Sequence, residues 1–241
     1  MTQVIAMWSG PRNLSTAMMR SFGARPDCTA MDEPFFAPFL KETRKAHPGR
    51  EETLALHETD PVKVAQICAA PKGNTAYSFQ KHMPHHMVAN FPIEWAKGAK
   101  HFFLIRDPAR VIASYVKGRA EFDLDDLGFA SQRRMFDRLT ALTGVVPPVI
   151  SSEDILQSPE AALEKLCQAI DIPFTRAMLS WAAGSRPEDG AWAPFWYASV
   201  EKSTGFGPPN LEKPILSEAN KVIEKQCEAD YLTLFERKIP I

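Results

Sequence analysis

The chain has 241 residues, of which 45% are hydrophobic, and its formal net charge at pH 7 is -1. A chain of this length can bury a full core, and we expect one α/β domain that covers residues 1–241. The near-neutral charge speaks against a nucleic-acid partner, because proteins that bind nucleic acids usually carry a net basic surface.

Four cysteines are spread along the chain without a Cys-x-x-Cys pair, so the sequence indicates neither a disulfide framework nor a zinc site. The apolar N-terminus has no basic region before it and ends after a few residues, unlike a signal peptide. No stretch approaches the roughly 20 apolar residues that a membrane span requires. We therefore expect a cytoplasmic protein that has no membrane partner.

The first predicted unit is a strand, a turn and a helix. Residues 4–8 form a short apolar run, which is typical of a buried strand in a parallel sheet. Apolar residues at helical spacing follow from Leu14 to Phe22, and Gly23 is predicted to be a left-handed cap at the end of that helix.

The middle of the chain has weaker signals. Charge dominates residues 39–59, which predicts an exposed segment, partly helical or mobile, that can close over a ligand. Residues 62–70 predict a short helix, and residues 75–79 predict a strand with His82 just past its end.

A second strand, turn and helix follow. Residues 100–105 predict the clearest strand, which ends at Arg106 and leads into a helix over residues 111–117. Ligands of open parallel sheets bind beyond the carboxyl ends of the strands. We therefore expect residues 9–16, His82 and Arg106 to converge at one edge of the sheet.

The rest of the chain predicts a helix ending before Gly144, a short strand over residues 148–150 and a helix that begins at Ser158. Residues 184–214 have no clear period, and residues 215–235 predict a last helix.

The turn between the first strand and the first helix has the composition of an anion site. Backbone N–H groups and the positive end of the helix face a ligand at such a turn. The nucleoside-triphosphatase pattern G-x-x-x-x-G-K-[ST] is not met, because Leu14 stands in place of the last glycine and no lysine follows. A kinase is therefore less favoured, and ordinary helix capping by Ser15 and Thr16 is the alternative interpretation.

Arg106 and Ser114 form a second candidate phosphate site. An arginine at a strand end and a serine eight residues later, in the following helix, can reach one phosphate together. The alternatives are that Arg106 pairs with Asp107 or Glu33 and that Ser114 is a small packing residue.

These segments resemble the nucleotide-binding segments of sulfotransferases. In the 5′-phosphosulfate loop of that family, a lysine or arginine stands three residues before a Thr-Thr or Ser-Thr pair, and Arg12, Ser15 and Thr16 match it. The resemblance implies a P-loop-like, three-layer α/β fold whose mostly parallel sheet has helices on both faces. It also implies that Arg12 neutralises the phosphosulfate of the donor in a loop completed by Gly10, Asn13, Leu14, Ser15 and Thr16.

Two further segments extend the resemblance. Arg106 and Ser114 have the spacing of the family's 3′-phosphate segment, and residues 150–174 resemble its Tyr-Glu-Asp-Leu segment, with Ser152 in place of the tyrosine. The C-terminal G-x-x-G-x-x-K pattern of many members is met only in part, at residues 202–207.

Two residues compete for the role of general base, which must lie within hydrogen-bond reach of the acceptor. His82 lies in a segment that resembles the Lys-Thr-His-Leu-Pro segment of cytosolic members, although the lysine is displaced by one position. Glu33 lies in a segment that resembles a bacterial one in which the glutamate is the base. His82 is the favoured base. His82, His85 and His86 suggest a metal site, but Pro84 disfavours the helix that would align them, and we expect no metal.

The resemblance implies sulfuryl transfer from 3′-phosphoadenosine 5′-phosphosulfate to the hydroxyl or amine of an unknown small-molecule acceptor, leaving adenosine 3′,5′-bisphosphate. The alternatives are a nucleotide kinase or phosphotransferase and a nucleotide-binding module without turnover. Aromatic residues near the C-terminus either line an acceptor pocket or dock the tail to the core: Trp181, Trp192, Phe195, Trp196 and Tyr197.

Overall fold

The structure is a computed structural model that describes residues 2–71, 73–118, 122–210 and 212–241. Its centre is a five-stranded sheet in which every neighbouring pair of strands is parallel, in the order β2-β3-β1-β4-β5. The strands are β1 (Gln3–Ser9), β2 (Cys28–Asp32), β3 (Tyr77–His82), β4 (Lys100–Ile105) and β5 (Val149–Ser151).

Helices cover both faces of this sheet. The α-helices are α1 (Ser15–Gly23), α2 (Phe36–Thr43), α3 (Arg50–Leu56), α4 (Pro61–Ala69), α5 (Pro108–Gly118), α6 (Leu124–Leu127), α7 (Phe129–Thr143), α8 (Ser152–Gln157), α9 (Pro159–Ala169), α10 (Ala193–Trp196), α11 (Ala198–Glu201) and α12 (Glu218–Phe235). Short 3-10 helices span Pro84–His86, Glu94–Gly98 and Arg176–Leu179. The fold is thus a three-layer α/β fold, as the sequence predicts. No helix in the described ranges is long and apolar enough to cross a bilayer.

Two apolar clusters make up the core, one on each face of the sheet. Side chains alternate along a strand, so Trp8 and Phe103 face one helical layer while Met7 and Phe102 face the other. All four side chains are fully buried. Because both faces of β1 and β4 are covered, these two strands are largely apolar, which is why they are clear in the sequence.

Two local predictions are wrong. Gly23 is the last residue of α1 rather than a left-handed cap, and the capping position is taken by Ala24 in a right-handed conformation. The amide groups of Ala24 and Arg25 bond back to the helix carbonyls, so the chain leaves the helix without a left-handed residue. His82 does not follow β3 but is its last residue.

β2 is not predicted from the sequence. It is an edge strand of five residues in which Cys28 and Asp32 alone are buried, and so it has no apolar periodicity. Its position matters for the site, because Glu33 follows it directly. The charged segment of residues 39–59 is partly helical, as expected, and contains the end of α2 and all of α3.

Candidate functional site

A cavity of about 360 Å³ opens at the carboxyl end of the sheet. The cavity is surrounded by the residues that follow β1, β2 and β4, by the end of β3 and by helix α5. Residues 189–207, here named the C-terminal segment, complete it. Its lining includes Arg12, Leu14, Ser15, Thr16, Glu33, Lys81, Arg106, Ser114, Trp192, Trp196, Tyr197, Ser203 and Phe206. Parallel strands that end at one edge place these side chains together.

The loop between β1 and α1 is held in a strained conformation. Arg12 has a φ of 62° and Leu14 a φ of 69°, both in the left-handed region that non-glycine residues seldom adopt. Arg106 Nη1 donates to the Arg12 carbonyl at 2.6 Å, and Ser152 Oγ donates to the Asn13 carbonyl at 2.7 Å. These bonds tie the carbonyl groups of the loop to Arg106 and Ser152.

Helix α1 presents an open N-terminus to the cavity. Leu14 occupies the N-cap position, and no side chain of the described residues caps the helix. The first backbone N–H groups of a helix have no partner within the helix, and its positive end favours an anion. Ser15 and Thr16 are the first two helical residues rather than caps. Ordinary capping therefore does not account for these two hydroxyl groups.

The second candidate phosphate site adjoins the first. Arg12 Nε donates to Ser114 Oγ at 3.0 Å, which joins the β1–α1 loop to helix α5. Arg106 Nε lies 3.9 Å from Glu153 Oε1, and within the described ranges this buried nitrogen has no hydrogen-bond partner. Glu153, and not Glu33, is thus the carboxylate that accompanies Arg106.

Six of the eight predicted nucleotide-binding residues line the cavity: Arg12, Leu14, Ser15, Thr16, Arg106 and Ser114. The other two lie behind the loop. Asn13 Nδ2 donates to the Leu104 carbonyl at 3.1 Å, and a Cβ at Gly10 would lie 3.3 Å from that same Nδ2. Gly10 and Asn13 therefore support the loop through packing and backbone geometry.

A buried charge cluster forms the floor of the cavity. Lys81 Nζ lies 2.7 Å from Asp32 Oδ1 and 2.8 Å from Glu33 Oε1. It also donates to Tyr197 OH at 2.5 Å and to Thr16 Oγ1 at 3.3 Å. This one ammonium group connects the helix α1 N-terminus, two acids and the C-terminal segment.

The pKa values of Lys81 and Glu33 are both shifted in this cluster. Burial acts to lower the pKa of Lys81, but the charges of Asp32 and Glu33 outweigh it and hold that pKa well above its usual value. Burial raises the pKa of Glu33, and although Lys81 opposes this, the result stays above the ordinary glutamate value. Lys81 is therefore a permanent cation, and Glu33 is a carboxylate of increased basicity.

His82 does not converge with the loop between β1 and α1, here also named the phosphate loop, contrary to expectation. It is adjacent to Lys81 in β3, and adjacent strand residues face opposite sides of the sheet. Its ring stacks on Trp8 at 4.7 Å, and its Nε2 contacts Gln80 Oε1 at 3.1 Å. Burial lowers the pKa of His82 to about 3. The imidazole is thus a neutral group of the core.

The other two histidines of this region border the cavity. His86 Nδ1 lies 3.7 Å from Glu33 Oε2, and burial lowers its pKa well below the usual value. Burial lowers the pKa of His85 to about 4. Within the part of the chain that the structure describes, no group of three or more His, Cys, Asp or Glu side chains is placed to hold a metal ion.

The sequence does not indicate the roles of Asp32 and Lys81 in the charge cluster, and it indicates Tyr197 only as one of five aromatic residues near the C-terminus. The displaced lysine in the Lys-Thr-His-Leu-Pro comparison was the available signal for Lys81. Strand alternation indicates that Lys81 and His82 cannot both face the cavity, but which of them does depends on the packing of β3. Tyr197 had no comparable signal, since it is 165 residues from Asp32, which it contacts.

The C-terminal segment completes the cavity wall. Ser203, Gly205, Phe206 and Gly207 line it, so the partial C-terminal pattern lies beside the phosphate loop. Among the aromatic residues, Trp192, Trp196 and Tyr197 line the cavity. Trp181 instead docks the segment, through a bond from its Nε1 to Ser203 Oγ at 3.1 Å.

Comparison with known proteins gives one family. The family model described as "Sulfotransferase domain" matches residues 2–225. The chain is similar to "Sulfotransferase from Alicyclobacillus acidocaldarius", whose crystal structure has a TM-score of 0.55 at 11% identity over 99% of this chain and 98% of that one. At this identity the structural likeness shows the fold.

Two curated relatives from Arabidopsis thaliana are longer than this chain. "Branched-chain-amino-acid aminotransferase-like protein 2" is 39% identical over 86% of the chain and 37% of its own length. "Branched-chain-amino-acid aminotransferase-like protein 1" is 36% identical over 99% of the chain and 41% of its own length. The chain thus spans about two fifths of the relatives it matches. Because the family model covers nearly all of it, and the fold agrees, the chain belongs to the sulfotransferase family.

Proposed function

We propose that this protein transfers a sulfuryl group from 3′-phosphoadenosine 5′-phosphosulfate to a hydroxyl or amine of a small-molecule acceptor. One observation carries the proposal: the β1–α1 loop, the Arg106–Ser114 pair and Glu33 all line a single cavity. A nucleotide with phosphate groups at both ends of its ribose would thereby lie next to a candidate base.

The residues around the cavity fit such a donor. The uncapped N-terminus of α1 and the guanidinium of Arg12 suit the 5′-phosphosulfate, with Ser15 and Thr16 as hydroxyl donors. The unpartnered Nε of Arg106 suits a second, 3′-phosphate group together with Ser114. These residues would hold the donor, and charge-assisted bonds of arginine to phosphate would supply much of its affinity.

Glu33 is the base in this proposal. The bound donor supplies a sulfuryl group, whose bond to the 5′-phosphate oxygen breaks as the bond to the acceptor atom forms. Glu33 Oε1 is held by Lys81 at 2.8 Å, and its Oε2, which lies 3.7 Å from His86 Nδ1, would take the acceptor proton. Burial of Glu33 raises its pKa, which increases its strength as a base.

Lys81 and Arg12 are two of the cations that line the cavity beside Glu33. By analogy with phosphoryl transfer, charge spreads over the peripheral oxygens of the transferred group. Both side chains line the same cavity as Glu33, so they are placed to stabilise that charge. His82 is no longer favoured as the base, because its ring is stacked in the core on the other side of β3.

Binding and transfer are tested separately. Calorimetric titration with adenosine 3′,5′-bisphosphate should give tighter binding than ATP with magnesium, and the reverse order would support the kinase alternative. Transfer of ³⁵S-sulfate from labelled donor to a panel of hydroxyl and amine acceptors then tests the enzyme. Tight binding of adenosine 3′,5′-bisphosphate without transfer to any acceptor would support the nucleotide-binding module. Absence of adenosine 3′,5′-bisphosphate binding would contradict both the sulfotransferase proposal and the nucleotide-binding module.

A further inference from the structure

The C-terminal segment is attached to the charge cluster through Asp32. The Gly190 amide donates to Asp32 Oδ2 at 3.2 Å, close to the start of the segment. One residue earlier, Asp189 forms a bidentate ion pair with Arg20 of helix α1, at 2.6 and 2.7 Å. Both side chains of that pair are buried. The start of the segment is therefore fixed inside the protein, and Tyr197 directly follows the short helix α10.

The hydroxyl group of Tyr197 uses its full hydrogen-bonding capacity within the cluster. A phenolic hydroxyl donates one hydrogen bond and accepts two. Lys81 Nζ, at 2.5 Å, and Trp192 Nε1, at 3.1 Å, are donors only. The proton of the hydroxyl must then point to Asp32 Oδ2, at 2.6 Å. Each of the three hydrogen bonds of this hydroxyl group thus has a defined donor and a defined acceptor.

This arrangement sets the position of the Lys81 ammonium group. Its four neighbours are Asp32, Glu33, Thr16 and Tyr197. Asp32 and Tyr197 are hydrogen-bonded to each other, Glu33 is the candidate base, and Thr16 belongs to helix α1 at the end of the β1–α1 loop. Tyr197 is the one member of this set that comes from the C-terminal segment.

From these contacts we infer that Tyr197 is a positioning residue for Lys81, and that the reactive centre is complete when the C-terminal segment is docked. The inference rests on the proposed function for its effect on turnover. The same segment supplies Ser203 and Phe206 to the cavity wall. Its docking therefore completes the wall of the cavity and also orders the charge cluster.

The test is Tyr197→Phe, which keeps the ring and removes the hydroxyl. Lys81 loses an acceptor in a buried site, and Asp32 loses a donor. We expect kcat to fall at least tenfold, while the dissociation constant of adenosine 3′,5′-bisphosphate changes less than threefold. Tyr231→Phe, at a buried tyrosine of helix α12 away from the cavity, is the matched control and should keep kcat.

A second measurement does not need turnover. In protein labelled with ¹⁵N-lysine, the buried Lys81 ammonium group should give a slowly exchanging NMR signal, assigned by its loss in Lys81→Met. Tyr197→Phe should shift this signal or speed its proton exchange at least tenfold, and Tyr231→Phe should not. An unchanged signal, or a changed signal with unchanged kcat, overturns the inference. A changed signal in a protein that transfers sulfate to no acceptor supports the positioning of Lys81 and counts against the proposed function instead.

Discussion

The two faces of β3 show how one residue along a strand separates two kinds of chemistry. Lys81 faces the cavity, where Asp32 and Glu33 lie within 2.8 Å of its ammonium group. His82 faces the helical layer on the other side, between Trp8 and Trp95, whose ring centroids lie 4.7 and 5.0 Å from its own. A family motif transferred to this strand with a shift of one residue therefore selects a side chain on the opposite face of the sheet.

The faces also differ in how they accommodate a buried polar group. On the cavity side Asp32 and Glu33 each form an ion pair with the Lys81 cation. On the core side the charge is removed, because burial lowers the pKa of His82 to about 3. A charged cluster is suited to hold and polarise a ligand, and a neutral imidazole among aromatic rings is suited to packing. The following predictions test this difference.

The largest effect on kcat is expected when each candidate base, Glu33 or His82, is replaced by glutamine. Glu33→Gln removes the proton acceptor and should lower kcat by roughly 10²- to 10⁴-fold, the usual range for general base catalysis. His82→Gln should lower kcat less than tenfold in protein that is still folded by circular dichroism. Loss of activity in His82→Gln with retention in Glu33→Gln would return the role of base to the histidine.

The pH dependence of kcat/KM is a second test of Glu33 as the general base. A general base acts when it is deprotonated, so kcat/KM should rise with pH through the pKa of Glu33. Burial raises that pKa, and the midpoint should therefore lie above the ordinary glutamate value of about 4.3. The rising limb should disappear in Glu33→Gln and persist in His82→Gln.

A smaller effect is expected at the phosphate loop, on the donor side of the cavity. Arg12→Ala should weaken binding of adenosine 3′,5′-bisphosphate by about 1.5–3 kcal/mol, the worth of a charge-assisted hydrogen bond. Calorimetry measures the loss, and Arg133→Ala is the control, since that arginine pairs with Asp137 on helix α7. Equal affinities of the Arg12 variant and the unmutated protein would remove the loop from the site.

The preference for a 3′-phosphate should be about tenfold over 5′-AMP, which corresponds to about 1.4 kcal/mol. Arg106→Ala should abolish this preference. Arg106 also bonds the Arg12 carbonyl at 2.6 Å, so the variant loosens the loop and lowers the affinity for both nucleotides. The ratio of the two dissociation constants is therefore the quantity to compare. A ratio near one in the unmutated protein would contradict the assignment of Arg106 and Ser114.

The smallest effect is expected in the acid stability of the core face. The unfolded chain protonates His82 near pH 6.5, whereas the folded protein keeps it neutral down to about pH 3. Stability that is present above pH 6.5 is therefore lost as the pH falls. The free energy of unfolding should fall between pH 7 and pH 5.5 in both proteins. The loss should be about 1 kcal/mol smaller in His82→Gln than in the unmutated protein. Urea unfolding at both pH values measures this, and parallel losses would contradict a neutral, buried His82.

Much of the fold was predictable, because its signals are local. β1 and β4 are buried on both faces and therefore largely apolar, and each is followed by a turn and a helix. β2 was missed, since an edge strand with two buried residues has no such pattern. Gly23 was misplaced because the end of a helix depends on hydrogen bonds that composition does not specify.

The sequence by itself indicated the β1–α1 loop as a candidate anion site and the edge of the sheet where it lies. Arg12, Ser15 and Thr16 are close along the chain, and the carboxyl ends of parallel strands meet wherever such a sheet forms. Only the tertiary structure decided that Lys81 rather than His82 faces the cavity, because a strand has a period of two and its facing is set by the layers packed on it. Only the tertiary structure brought Tyr197 to Asp32 across 165 residues, since no local pattern encodes a contact at that separation.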